Sequence, residues 1–325
     1  MMDSLWRRWR EALQYRILQR KVLHPKASDA LPDAVPLSVS LETLLSLRHG
    51  ATEQWLLQLE QASRPEAQGT LSPLLGRGLE FKEHRLYQSG DDPRHLDWKV
   101  TARRGQAYTR LYHQERQRPW VLLVDQSSAM QFGQQGNKLV QAARLAAQMG
   151  WAILAQQDQL ALWIETDQQG YWQARHTQAR HWVHTLAFIA QHQQQLGSLQ
   201  PRAADQWEQL LPQLAARLPR AAQVVLISDF QGFDAWDQLD KLAGQARLWL
   251  IHLTDPLDAD LVQEGAWIRS GHQDLPLSPA LREAWKQAFI DRQQALQKMV
   301  QGRGLYLERP TKSETQKPLM QDFMR

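Results

Sequence analysis

Three short apolar runs punctuate the chain: WVLLV at 120–124, VVLI at 224–227 and LWLI at 248–251. Each lies in a segment that ends on a carboxylate in a polar loop, at Asp125, Asp229 and Asp255. Unbroken apolar runs of this length, bounded by turn residues, predict strands covered on both faces. The segments between them carry helical spacing instead. Helices are predicted over 138–156, 177–195, 203–218, 234–243 and 280–300, with further strands at 159–165, 171–174 and 305–308. Strand–helix alternation of this kind predicts a Rossmann-like α/β fold, a parallel sheet flanked by helices. Ligands of open α/β sheets sit at the carboxyl ends of the strands, so Asp125 and Asp229 are predicted to meet on that rim.

The chain ahead of this domain is patterned differently. Residues 4–22 space Leu5, Trp6, Trp9, Leu13 and Ile17 by three and four, with Arg7, Arg8, Arg10 and Arg16 mostly on the other side. This is a basic amphipathic helix, and it can pack on its own domain, on a partner or on an anionic membrane surface. A Pro-rich polar linker follows over 24–38, then one or two helices over 41–59 with a break at His49-Gly50, and a loop over 61–72. Residues 78–87 read as extended. Asp92 with Pro93 reads as a helix start, Gly105 as its end, and 107–112 as a strand. The expected organisation is a helix over 1–23, linker and helical lead-in over 24–72, a small β-containing charged segment over 73–118, the α/β domain over 119–310 and a C-terminal helix over 311–325.

Composition narrows the function. The absence of cysteine removes disulfide frameworks and thiolate metal sites and fits a reducing compartment. Neither a long apolar span nor a leader-like apolar stretch is found, so a cytoplasmic protein is expected. The formal net charge of +4 is confined to residues 1–30, and the rest of the chain balances, so nucleic acid is not an expected partner. No Gly-x-Ser-x-Gly elbow and no P-loop is found.

Two groups of residues could carry chemistry. Between Gly76 and Arg118, Asp91, Asp92 and Asp97 are interleaved with Arg85, Arg94 and Arg103, beside Trp98. Acids alternating with arginines favour an ion-pair framework. The alternatives are a docking surface or a metal-dependent hydrolase built on the three aspartates with His84 or His95 as base. The second group is the loop after 120–124, Asp125-Gln126-Ser127-Ser128-Ala129, together with Asp229.

The order VLLVDQSSAM, then helices, then VVLISDF resembles the von Willebrand factor A domain. In that family an Asp-x-Ser-x-Ser loop, a later Thr and a later Asp hold one Mg²⁺, which takes a partner's carboxylate as its last ligand. The resemblance places Asp125, Ser127 and Asp229 in that set, with Ser198 the best candidate for the Thr position. Ala129 stands where the second Ser would be and has no oxygen to give. The other reading makes Asp125 and Asp229 caps that hydrogen-bond loop backbone with no ion.

A more specific resemblance spans the chain from about residue 40 onward. GRGLEF, HRLYQSGDDPRHLDW and ARRG, followed by VLLVDQSSAM, Lys138 at the next helix start, LISDF and Asp255-Pro256-Leu257, resemble the domain-of-unknown-function 58 (DUF58) family. That resemblance implies a bacterial protein with a von Willebrand A-like domain that works beside a MoxR-type AAA+ ATPase. The expected function is a non-enzymatic adaptor that presents a client protein to that ATPase.

Overall fold

The computed structural model describes residues 38–50, 79–88, 94, 96–114, 118–131, 133, 136–196, 205–260, 267–270, 273–276 and 278–311. The helices expected over 4–22 and 313–325, most of the linker, the loop over 61–72 and the second half of the 41–59 helix lie outside these residues. The chain divides into two compact units, Met1–Pro65 with Arg118–Arg325, and Glu66–Gln117.

The larger unit is a mixed α/β layer structure. Its sheet contains β3 (Pro119–Asp125), β4 (Gln159–Glu165), β5 (Gly170–His176), β6 (Gln223–Ser228), β7 (Arg247–Thr254) and β10 (Gly304–Pro310). Their order is β10-β7-β6-β3-β4-β5, and all neighbours are parallel except β4 and β5. The antiparallel β5 departs from the all-parallel expectation. A connection of four residues returns the chain at once, too short for the crossover a parallel neighbour needs.

The apolar runs explain the two faces. On β3, Trp120, Leu122 and Val124 enter one core while Val121 and Leu123 enter the other. The first core is closed by α1 (Leu41–Ser46), α3 (Lys138–Ala155) and α4 (Ala179–Gln195). The second is closed by α5 (Gln206–Ala215), α6 (Trp236–Gln245) and α8 (Pro279–Val300). Period-two alternation along a strand with apolar residues on both sides is what a doubly covered sheet demands. At Gly150 in α3 an added Cβ would lie 2.2 Å from the Trp182 ring, so the fully buried Trp182 of α4 packs where only glycine leaves room. The helix over 203–218 is shorter than expected, running from Gln206 to Ala215 with Pro212 inside it.

Two features were not expected: a short helix α7 (Pro256–Ala259) directly after β7, and a hairpin of β8 (Trp267–Ser270) and β9 (Gln273–Pro276).

The smaller unit pairs β1 (Leu79–Leu86) antiparallel with β2 (Tyr108–Gln114) around α2 (Trp98–Arg104). The helix start expected at Asp92-Pro93 lies outside the described residues; α2 is capped by Asp97, whose carboxylate accepts from the N–H groups of Lys99 (3.1 Å) and Val100 (3.2 Å). Leu96 bridges Thr109 and the Asp97 N–H donates to the Tyr108 carbonyl, so pairing with β2 fixes the two residues at which α2 begins. Gly105 ends the helix in the left-handed region at φ 69°, as expected.

Candidate functional site

The carboxyl edge of the six-stranded sheet brings Asp125, Ser228 and Asp229 together. They arrive on β3 and β6, hydrogen-bonded neighbours in which Val124 faces Ile227. All three are fully buried. Asp125 Oδ1 accepts from the Ser127 N–H (3.1 Å) and the Ser127 hydroxyl (2.7 Å), and Oδ2 accepts from the Ser228 hydroxyl (2.7 Å). The Ser228 oxygen in turn accepts from the Phe230 N–H at 3.0 Å. Asp125 therefore organises both strand-end loops.

The loop after β3 is fixed from two sides. Ser128 donates its N–H to the exposed Asp167 at 2.9 Å, beyond β4. Gln193 of α4 donates to the Gln126 side-chain oxygen at 2.7 Å, and His192 lies 3.0 Å from the Gln126 carbonyl.

Asp229 is held differently. Its Oδ1 accepts from the Gln231 N–H (3.0 Å), and its Oδ2 accepts from Lys138 Nζ (2.9 Å). Lys138 is the first residue of α3, behind the N-cap Asn137, and its ammonium also donates to both oxygens of Asp258 at 3.0 Å. Asp258 belongs to the capping box of α7: its Oδ2 accepts from the Asp255 N–H at 2.8 Å, and its Oδ1 accepts from the Gln231 side chain at 2.6 Å. Lys138 and Asp229 are fully buried and Asp258 is 1% exposed.

Electrostatically this is one cation between two acids, sealed from water. Burial works against the Lys138 charge, but Asp229 and Asp258 outweigh it and raise the pKa above the ordinary 10.5. Burial pushes the Asp258 carboxyl up and Asp229 adds to that, against the pull of Lys138 and Arg292. The ammonium is thus retained, while burial, ahead of the second acid, favours the protonated form of Asp258.

Behind the rim, on the α8 side of the sheet, lies His252 of β7. It is fully buried, 2.8 Å from the Tyr306 hydroxyl through Nδ1 and packed against Phe230 and Phe289. Burial, then Arg292, lowers its pKa to about 3, while Asp229 opposes the shift.

Of the residues singled out by sequence, Asp125, Ser127 and Asp229 come together, whereas Ser198, Asp91 and Asp92 lie outside the described residues. In the smaller unit Asp97 is buried as the cap of α2, Arg85 is half-buried in β1, and Arg94 and Arg103 are exposed. Trp98 is 69% exposed. An Asp97 carboxylate engaged with helix N–H groups is a poor metal ligand or base. Lys138 as a partner of Asp229, Ser228 and Asp258 were missed. One signal was available for Lys138: a cation at the first position of a helix opposes the macrodipole and needs acids nearby.

Among the described residues the donor set does not fit Mg²⁺. That ion needs about six oxygen ligands in a near-octahedral shell. Ala129 offers none, the oxygens of Asp125 accept from Ser127 and Ser228, and those of Asp229 accept from the Gln231 N–H and the Lys138 ammonium. Among the described residues no group of three or more acids or histidines is arranged for a metal. No helix among them is long and apolar enough to cross a membrane.

The model of the family described as "Protein of unknown function DUF58" matches residues 83–274. The chain is 27% identical over 238 residues to the uncharacterized protein Rv1480 of Mycobacterium tuberculosis (strain H37Rv), covering 70% of this chain and 73% of that protein. The uncharacterized protein Mb1516 of Mycobacterium bovis matches to the same extent. Among solved structures, the conserved hypothetical protein BatB from Bacteroides thetaiotaomicron aligns at 14% identity with a TM-score of 0.37, covering 64% of this chain and 97% of that one. An aerotolerance-related membrane protein from Bacteroides fragilis aligns at 15% identity with a TM-score of 0.36, covering 64% and 98%.

Proposed function

The chain belongs to the DUF58 family, and from that premise we propose that it is a non-enzymatic protein-interaction module. In this reading the larger unit is a von Willebrand A-like domain. It acts in the cytoplasm as an adaptor that presents a client protein to a MoxR-type AAA+ ATPase in a bacterial assembly or maturation pathway.

The observation that supports this most is the state of the rim acids. Asp125 and Asp229 are fully buried and engaged with Ser127, Ser228, Gln231 and Lys138. A catalytic acid needs reach to a substrate proton, whereas these two carboxylates are buried beneath the loops that they organise. What they do is fix the loops that follow β3 and β6 in set positions, which is the work of a frame for docking surfaces.

Immobilised protein should retain a purified MoxR-type ATPase in the presence of a non-hydrolysable ATP analogue. An ATPase that washes through in every nucleotide state would count heavily against the proposal.

A further inference from the structure

We infer that the Lys138 ammonium is the built-in cation of this sheet edge, bridging Asp229 after β6 and Asp258 of α7, and that the edge holds its loops without a divalent ion. The inference concerns the rim's own chemistry and holds whether or not an ATPase is the partner.

Three observations carry it. The ammonium has three N–H donors and three carboxylate contacts, to Asp229 Oδ2 at 2.9 Å and to both Asp258 oxygens at 3.0 Å, so its donor capacity is matched by the protein. It is fully buried, which leaves no open face for a partner's acid. It ties the start of α3 to the loops after β6 and β7, three elements far apart in sequence that a bridging cation would otherwise gather.

The surrounding charge is consistent with this. The end of α3 at which Lys138 sits already bears the positive pole of the helix. A cation placed there is stable only with an excess of acid, and Asp229 and Asp258 supply two carboxylates to one ammonium. Ala129 completes the picture: with the cation built in, an additional oxygen ligand on the loop after β3 has no ion to bind. Recognition at this edge therefore does not run through a metal-bridged acidic residue, and chelators leave the fold and its loops unchanged.

The test is a calorimetric titration of Mn²⁺ and Mg²⁺ into the wild-type chain, together with melting curves in EDTA and in millimolar Mg²⁺. The wild type should show no saturable heat and the same Tm in both buffers. Lys138→Ala, which removes the ammonium and opens room between Asp229 and Asp258, should melt lower by on the order of 10 °C in EDTA and recover part of that loss with Mn²⁺. Saturable binding to the wild type that disappears in Asp125→Ala would overturn the inference, and that arm needs no folded Lys138 variant. So would a Lys138→Ala protein that melts like the wild type, or one that melts lower and does not respond to Mn²⁺.

Discussion

Replacing Lys138 with methionine should lower the free energy of unfolding by ~3–5 kcal/mol, the penalty typical of stripping one partner from a buried ion pair. Methionine keeps much of the lysine length and volume, so the loss reports charge and hydrogen bonding more than packing. The charge count makes the effect asymmetric. Without Lys138, two sealed carboxylates lose the cation that they share, though the charge of Arg292 of α8 still acts on Asp258. Without one acid, the pair that remains is balanced. Asp258→Asn should therefore cost only about 1 kcal/mol, since the amide oxygen can still accept from Lys138 or from the Asp255 N–H. In the Asp258→Asn background, Lys138→Met should in turn cost less than it does alone, by the coupling that a double-mutant cycle in urea measures. Equal losses for Lys138→Met and Asp258→Asn would mean that the cluster is held by packing and not by charge.

The second large effect is acid-linked. His252 is fully buried beside the Tyr306 hydroxyl, with its pKa lowered to about 3 by burial first and Arg292 next. The charged groups that face it are Arg292 from α8, Asp229 from the end of β6 and Lys138 from α3. A depressed folded-state value means that the unfolded chain binds the proton more readily. The stabilisation is complete above the ordinary histidine value of 6.5 and is lost as pH falls from there towards 3, at roughly 1.4 kcal/mol per pH unit. The total on full protonation is on the order of 5 kcal/mol. Asp258 acts in the opposite sense, because its raised value lets the folded state take up a proton more readily on acidification. His252→Gln removes the titration while leaving a hydrogen-bonding group for Tyr306. Its stability relative to the wild type should improve steadily between pH 6.5 and pH 4, as read from urea midpoints, and the Asp258 contribution cancels in that difference. A constant offset at every pH would show that His252 is not held neutral by the fold.

Much of the sheet could be read from the residues, and the reason is burial. β3, β6 and β7 are covered on both faces, so their sequences are continuous apolar runs that no amphipathic helix would show. Their ends could be read too, because Asp125 and Asp229 interrupt those runs abruptly. The edge strand β5 and the β8–β9 hairpin carry no such run and gave weak signals. In the smaller unit Asp92-Pro93 and Asp97 are both good local caps, and no local spacing singles out Asp97, which the pairing of Leu96 with Thr109 holds at the start of α2.

The centre of the site was the least legible part. Ser127 and Asp229 follow from the loop pattern, but the Lys138 contacts span 91 and 120 residues, and no local spacing encodes them. Asp258 had a local cue, the Asp255-Pro256-Leu257-Asp258 order of a capping box. That cue says that a helix begins, and it does not say that the same carboxylate will meet a lysine from α3.

The claim on which all of this rests is that a protonated lysine sits sealed between Asp229 and Asp258. Following the Nζ proton–nitrogen resonance of Lys138 by NMR as pH is raised, with the signal assigned by its loss in Lys138→Met, tests it most directly. The account predicts a slowly exchanging ammonium that keeps its proton beyond pH 10.5. A resonance that exchanges as a surface lysine does, or that titrates to a neutral amine below 10.5, would contradict it.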